Sequence, residues 1–373
     1  MKPPPTHRLP ALDLLRGIVI VLMLVDHASF AFNGGRYVTD SVVMYKAGTA
    51  IPPAQFLLRW VTHLCAPTFL FLAGVSLAVA VERRRAAGET AGGIDRYLVS
   101  RGLFILLLDP LWMSAAFVFG PMLQVLYAIG GGLCAMTVIR RLPVRWVFGL
   151  GIFLAAGSEA LAGIALKLAG EGTSAGPIGA LLLTGGRIPG GWFVLYPLLP
   201  WLSCMVLGWW YGRQLVENEG RMPTTKALKA AAAALALFLA VRWVNGYGNM
   251  LLYREGGSAL QWLHVSKYPP SLSFLSLELG LMFLMLAGLS AVFDRRPPGE
   301  YNPVFVFGQT ALFFYIVHVH LVTAAARWLD LTRSVSIGGT LIAALAAAAV
   351  LYPLCIGFRY LKRRHPKSFL RYI

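Results

Sequence analysis

The stretch LDLLRGIVIVLMLVDHASFAFN, residues 12–33, decides the fold. A helix needs about 20 mostly apolar residues, rising 1.5 Å each, to cross the hydrocarbon layer of a bilayer. This stretch has that length, and Arg16 is the one ionisable residue between Leu14 and Val25. The segment 14–25 has the look of a secretory leader's apolar region. However, Asp26 and His27 stand where a small-residue cleavage site would follow, and many more apolar runs come after it. It reads as the first of a series of spans.

Outward from it, the same length criterion picks out 56–81, 98–118, 121–139, 146–168, 192–213, 227–244, 271–293, 304–325 and 336–358, ten spans in all. Spans three and four meet at Gly120-Pro121, which reads as a tight hairpin. The apolar run 176–183 is too short to cross and is either re-entrant or on the surface. Over 373 residues, 57% hydrophobic and 13% charged is too few charges to cover a water-exposed surface, where about a quarter is usual. The expected fold is all-α: a polytopic transmembrane helical bundle of about ten helices. One domain covers 1–373, with a flexible lead at 1–10 and a basic tail at 362–373.

The net charge of +17 would point to nucleic acid in a soluble protein. Here the basic residues fall in short loops between spans, so they orient the chain in the membrane, and nucleic acid is not an expected partner. Arg83, Arg84, Arg85, Arg96 and Arg101, then Arg140, Arg141 and Arg145, then Arg359, Lys362, Arg363 and Arg364 gather in alternate segments. The segments between them are poorer in Lys and Arg. By the positive-inside rule both termini are cytoplasmic. The cysteines, Cys65, Cys134, Cys204 and Cys355, lie in or beside apolar spans without a CxxC pair, so they read as buried free thiols.

Ionisable groups at membrane depth are costly and mark sites or pathways. Asp13 and Arg16, three apart, share a helix face and pair near the cytoplasmic end. His27 is eleven residues, or three turns, beyond Arg16 and projects from nearly the same face, about 16 Å further across the bilayer. Asp26 points about 100° away from His27. Other spans contribute His63, Asp109, Glu278, Gln309, Tyr315, His318 and His320. The plain alternative for His27 is a buried imidazole hydrogen-bonded to another helix. Glu159 reads as a buried hydrogen-bonded acid. The histidines lack metal-ligand spacing and lie on separate helices, so no metal is expected.

At these residues the chain resembles the bacterial relatives of the lysosomal heparan-alpha-glucosaminide N-acetyltransferase catalytic domain, within a wider superfamily of transmembrane acyltransferases. Four stretches carry the resemblance: Leu12 to Gly17 running on to Asp26 and His27; His63 to Ser76; Tyr196 to Trp201 with Gly208, Gly212 and Arg213; and Tyr268 to Ser271 followed by Phe307 to Tyr315 and His318. The Arg-x10-His spacing also resembles the first-helix motif of the membrane acyltransferase 3 family. That likeness implies a catalytic His27 with Arg16 in support, and Arg101 resembles the arginine that opens the third helix. In the lysosomal enzyme Asn stands at the position of His27 and the catalytic His lies in the loop after it. This sequence has no His between His27 and His63, so either His27 takes the role or the chemistry differs.

The resemblance implies a membrane acyltransferase that uses acetyl-CoA, or another acyl-CoA, as co-substrate. The acyl group passes to a sugar, glycan or lipid-linked acceptor at the outer face. Arg16, Arg96 and Arg101 would hold the CoA phosphates. His27 would serve as general base or acyl carrier, with Asp26 beside it. Gln309 or a histidine would polarise the thioester carbonyl, and Asp13, His63, Asp109, Tyr315 and His318 would bind substrate or support the site. The competing readings are a proton-coupled transporter or flippase, and a structural subunit of an envelope assembly. An oligomer is compatible with the sequence.

Overall fold

The computed structural model describes residues 9–116, 120–169, 175–218, 223–294, 296–365 and 368–372. Most of the expected lead, 1–8, and parts of the basic tail lie outside these residues. The chain is built from helices α1 (Pro10–Phe32), α2 (Pro53–Val61), α3 (Cys65–Ala86), α4 (Ala91–Leu111), α5 (Val125–Ile139), α6 (Val144–Leu168) and α7 (Gly176–Gly179). They are followed by α8 (Leu198–Glu217), α9 (Thr224–Val244), α10 (Ala259–Leu263), α11 (Leu272–Phe293), α12 (Pro303–Gln309), α13 (Ala311–Trp328) and α14 (Ile337–Arg364). The only sheet among the described residues is three short strands, β1 (Met122–Leu123), β2 (Gly186–Ile188) and β3 (Trp192–Val194). β3 lies in the middle, parallel to β1 and antiparallel to β2.

Among the described residues, eight helical stretches are long and apolar enough to cross a membrane. They account for eight of the ten expected spans, so the protein is an all-α polytopic membrane protein. The other two spans differ from expectation in instructive ways. The fourth is helical only over Val125–Ile139, because residues 122–123 pair as a strand with β3. The sixth begins at Leu198, after Pro197, because residues 192–194 are strand β3; it runs on to Glu217, and its Trp201, Trp209, Trp210 and Tyr211 make it less apolar. The 117–119 end of the third span lies outside the described residues. The 176–183 run forms α7 and one turn of π-helix, which ends at Gly185 with φ +68°.

The ninth span breaks in two. Asn302 caps α12 by accepting from the Phe305 N–H (3.1 Å), and α12 stops at Gln309. Thr310 takes a non-helical conformation before α13 begins. Nothing in the apolar pattern of 304–325 signals this break.

The chain divides into two compact units. The first comprises Thr39–Thr49 and Ala66–Leu284, and the second Leu9–Val38, Ala50–Cys65 and Met285–Ile373. In the first unit α3 crosses α8 so closely that a Cβ on Gly74 would stand 2.0 Å from the Met205 carbonyl oxygen, and one on Gly208 would stand 2.0 Å from that of Phe71. Small residues at a crossing bring helices into backbone contact, which is how membrane helices gain dispersion energy where lipid removes the hydrophobic drive. The loop after α9 is gathered by buried Arg242. Its guanidinium donates to Asn249 Oδ1 (2.7 Å) and to the carbonyls of Leu252 (3.1 Å), Trp262 (3.1 Å) and His264 (3.0 Å). In the second unit α1 crosses α12 by the same device. A Cβ on Gly17 would meet the Val304 carbonyl oxygen at 1.8 Å, and one on Gly308 that of Asp13 at 1.8 Å.

Candidate functional site

The polar side chains of α1 form two levels, both completed within the second unit. At the N-terminal level Arg16 Nη1 donates to Asp13 Oδ1 at 2.5 Å, the pairing that the i,i+3 spacing predicts. The α1–α12 crossing at Gly17 and Gly308 brings Gln309, at the break in the ninth span, to this level. Gln309 Oε1 accepts from Arg359 Nη1 (3.2 Å), which also donates to the Glu300 carbonyl (2.8 Å). With its oxygen engaged, the amide presents its NH2 group as a donor.

Three turns along, His27 meets α13. Its Nδ1 lies 2.7 Å from His318 Nε2, with the two rings stacked at 4.9 Å between centroids. His318 Nδ1 in turn lies 2.9 Å from the Phe314 carbonyl oxygen. A carbonyl can only accept, so His318 carries its proton on Nδ1, which leaves Nε2 as an acceptor in the neutral ring. His27 must then donate from Nδ1. The consequence is chemical: neutral His27 holds its lone pair on Nε2, the nitrogen away from His318. His318 is fully buried and His27 is half-buried, so the outer imidazole of the pair is the one with access to a reactant. Tyr315 packs one turn before His318, its ring 6.3 Å from that of His27.

Asp26 faces elsewhere, as its 100° offset requires. Its Oδ1 accepts from Arg59 Nη1 (2.6 Å), Arg36 Nη2 (2.9 Å) and Thr62 Oγ1 (3.2 Å), and its backbone carbonyl accepts from Arg36 Nη1 (2.7 Å). His63 is buried in the turn that carries Thr62. Arg36, Arg59 and Arg359 are the participants that the sequence reading missed. The sequence carries a signal for Arg59: it falls inside the expected span 56–81, where an ionisable group marks a site.

Three expected residues belong to the first unit. Arg101 Nη1 donates to the Tyr97 hydroxyl (2.8 Å), and the Arg84 guanidinium lies over the Tyr97 ring at 3.5 Å. Arg96 is exposed. Asp109 is buried and caps α5, its Oδ2 accepting from the N–H groups of Gln124 (2.8 Å) and Tyr127 (2.6 Å). A carboxylate at a helix N-terminus satisfies orphan donors, a structural task for a residue that the sequence suggested as site support. Among the described residues no three His, Cys, Asp or Glu side chains gather as a metal site.

This arrangement can do one thing well. A half-buried imidazole with a fixed tautomer, backed by a second imidazole, can take a proton from a bound nucleophile. Comparison with curated proteins finds no match to the chain. The family model described as heparan-alpha-glucosaminide N-acetyltransferase, catalytic, matches residues 8–243, well over half of the chain, including α1 with Arg16, Asp26 and His27. The chain therefore belongs to the heparan-alpha-glucosaminide N-acetyltransferase catalytic family.

Proposed function

We propose that the protein moves an acyl group, acetyl in the first instance, from cytoplasmic acyl-CoA to an amine or hydroxyl of a sugar or glycan acceptor at the outer face of a bacterial inner membrane, with both termini cytoplasmic. Family membership supplies the coarser part, an acetyltransferase-type activity in an integral membrane protein. The observation that carries the reading is the hydrogen bond between His27 Nδ1 and His318 Nε2, which fixes the tautomer with the basic nitrogen of His27 at Nε2.

In the step envisaged, the acceptor nitrogen or oxygen attacks the thioester carbonyl carbon as His27 Nε2 removes its proton. The C–S bond then breaks, and the thiolate takes up that proton and leaves as free CoA. His318 stabilises the His27 imidazolium by continuing to accept from Nδ1. The Gln309 NH2 group is a candidate donor to developing negative charge. In the second unit Arg16 is a candidate for the CoA phosphates, as a cation that makes charge-assisted bonds; Arg96 and Arg101 of the first unit are separate candidates from the sequence. The extended pantetheine arm, on the order of 15–20 Å, is comparable with the three-turn rise from Arg16 to His27.

The test is CoA release by the purified protein given acetyl-CoA and a sugar-amine acceptor. His27→Ala should abolish release, and full activity in that variant would remove His27 from the reaction. A radiolabelled acetyl group trapped on the wild type but not on His27→Ala would mark an acyl-imidazole intermediate. Movement of acceptor across vesicles without acyl-CoA would replace the enzyme by a transporter.

A further inference from the structure

The stretches around Tyr196 and Tyr268 take no part in the His27 site, yet the first unit brings them together. The two hydroxyls lie 3.3 Å apart and the rings meet edge to face at 5.4 Å. The Lys267–Tyr268 turn is held from behind: Ser41 Oγ donates to the Tyr268 carbonyl (2.5 Å), Ser266 Oγ to that of Pro269 (3.0 Å), and the Lys267 N–H to that of Asp40 (3.0 Å). Lys267 is 3% exposed, and its Nζ lies 5.3 Å from the centre of the Tyr268 ring. It makes no side-chain hydrogen bond or ion pair among the described residues. Its charge acts on Glu278, which is 1% exposed, and Glu278 Oε1 has no partner among the described residues. Trp201, 0% exposed and stacked on Tyr196 at 4.7 Å, likewise has an indole N–H without a partner. Phe274, one turn before Glu278 on α11, packs against Trp201 at 5.9 Å.

A buried carboxyl oxygen and a buried indole N–H without partners among the described residues are costly, and a polar ligand that completes their hydrogen bonds beside the Lys267 ammonium removes that cost. The lining offers donors and acceptors together, so the arrangement favours a ligand whose groups both donate and accept, as hydroxyls do, over an anion that only accepts. The ammonium and indole donate, the carboxyl accepts, the two phenols do both, and the rings offer apolar faces. We propose that Lys267, Tyr268, Tyr196, Trp201 and Glu278 form a second binding site, within the first unit, for a neutral polyhydroxyl ligand the size of one sugar ring. It rests on the acyl-transfer reading only in that such a ligand belongs to the class of acceptor named above.

The test is calorimetric titration of the full chain, in nanodiscs free of glycoside detergent, with methyl α-glucopyranoside and separately with inorganic phosphate. The wild type should bind the glucoside and not phosphate. Lys267→Met and Glu278→Gln should each weaken it by about tenfold or more, the usual cost of a hydrogen bond to a charged group. Tyr268→Phe, which removes one hydroxyl and spares the fold if the first two variants fail to accumulate, should weaken it by about threefold. His27→Ala should bind the glucoside like the wild type. No heat with the glucoside, binding of phosphate in its place, or wild-type affinity in the Lys267 and Tyr268 variants would each overturn the site. Glucoside binding that depends on Lys267, in a protein that releases no CoA, would keep the site and remove the acyl-transfer reading.

Discussion

The two units share a construction and differ in how they treat polar groups. Each has a crossing where glycines let backbones touch, α3 on α8 at Gly74 and Gly208, and α1 on α12 at Gly17 and Gly308. In the second unit the polar side chains on and around α1 have taken one another as partners: Asp13 with Arg16, Asp26 with Arg36 and Arg59, His27 with His318, Gln309 with Arg359. In the first unit Glu278 and Trp201 are buried with polar atoms that no described residue satisfies, beside the buried Lys267. The difference separates two kinds of site. A proton-transfer group must have its tautomer and direction fixed beforehand, so its hydrogen bonds are made within the protein. A recognition site keeps bonding capacity unspent until its ligand arrives.

Removing the group at the centre of the second unit's network should have the largest effect. His27→Ala should lower the rate of CoA release by about 10²- to 10⁴-fold, the usual contribution of a positioned general base. Lys267→Met should instead weaken glucoside binding by about tenfold and leave that rate largely unchanged. Equal kcat losses in the two variants would erase the distinction between chemistry and recognition. Next comes His318→Phe, which leaves the His27 Nδ1–H without its acceptor. A drop in kcat of roughly 10²-fold is expected where a catalytic group loses its orientation. A displaced pH–rate profile should accompany it, and His318→Gln, whose amide oxygen can accept, should recover part of the loss. An unchanged pH profile would reduce His318 to packing.

The crossings provide a third comparison, at the level of stability. Gly308→Ala places a methyl group where only 1.8 Å separates the Cβ position from the Asp13 carbonyl oxygen, and Gly74→Ala does the same 2.0 Å from that of Met205. Backbone atoms cannot step aside as a flexible side chain can, so each should cost about 1–3 kcal/mol, the range for overpacking. Gly149 has no neighbour within 4 Å of its Cβ position, and Gly149→Ala should leave the thermal midpoint unchanged or slightly higher. If Gly308→Ala melted like Gly149→Ala, the close crossing that brings Gln309 to the Arg16 level would be wrong.

Much of this was legible along single helices. The span at 12–33, the Asp13–Arg16 pair and the outward offset of Asp26 from His27 all follow from helical geometry, and all are found. What one-dimensional periodicity does not carry is which helix stands beside which. Sequence separation of 291 residues divides His27 from His318, and 50 divides Gln309 from Arg359. The break at Thr310 is hidden because the residues on both sides are apolar. The strand at Trp192–Val194 reads as the start of a span because Phe193 and Val194 are as apolar in a strand as in a helix. The pairing of Arg36 and Arg59 with Asp26 is likewise a tertiary fact.

The smallest effect expected concerns a histidine that serves structure alone. His264 lies in the loop before α11, with Nε2 donating to the Thr39 carbonyl (2.7 Å) and its ring edge-on to Tyr45 at 4.6 Å. Burial disfavours its charged form and holds its pKa below the ordinary value. The hydrogen bond to Thr39 and the charges of Asp40 and Glu255 oppose that shift, while Arg242 reinforces it. A histidine whose folded pKa is depressed binds its proton more readily when unfolded, so its contribution to stability is intact above its unfolded pKa of about 6.5 and is lost as the pH falls below it toward the folded value. His264→Gln keeps a side-chain N–H for Thr39 but cannot titrate. Its thermal midpoint should therefore fall less than that of the wild type between neutral and acidic pH, with the two curves parallel above neutrality. Parallel curves throughout would mean that the imidazole is equally easy to protonate in both states, and that the segment between α10 and α11 opens to water more readily than its hydrogen bonds imply.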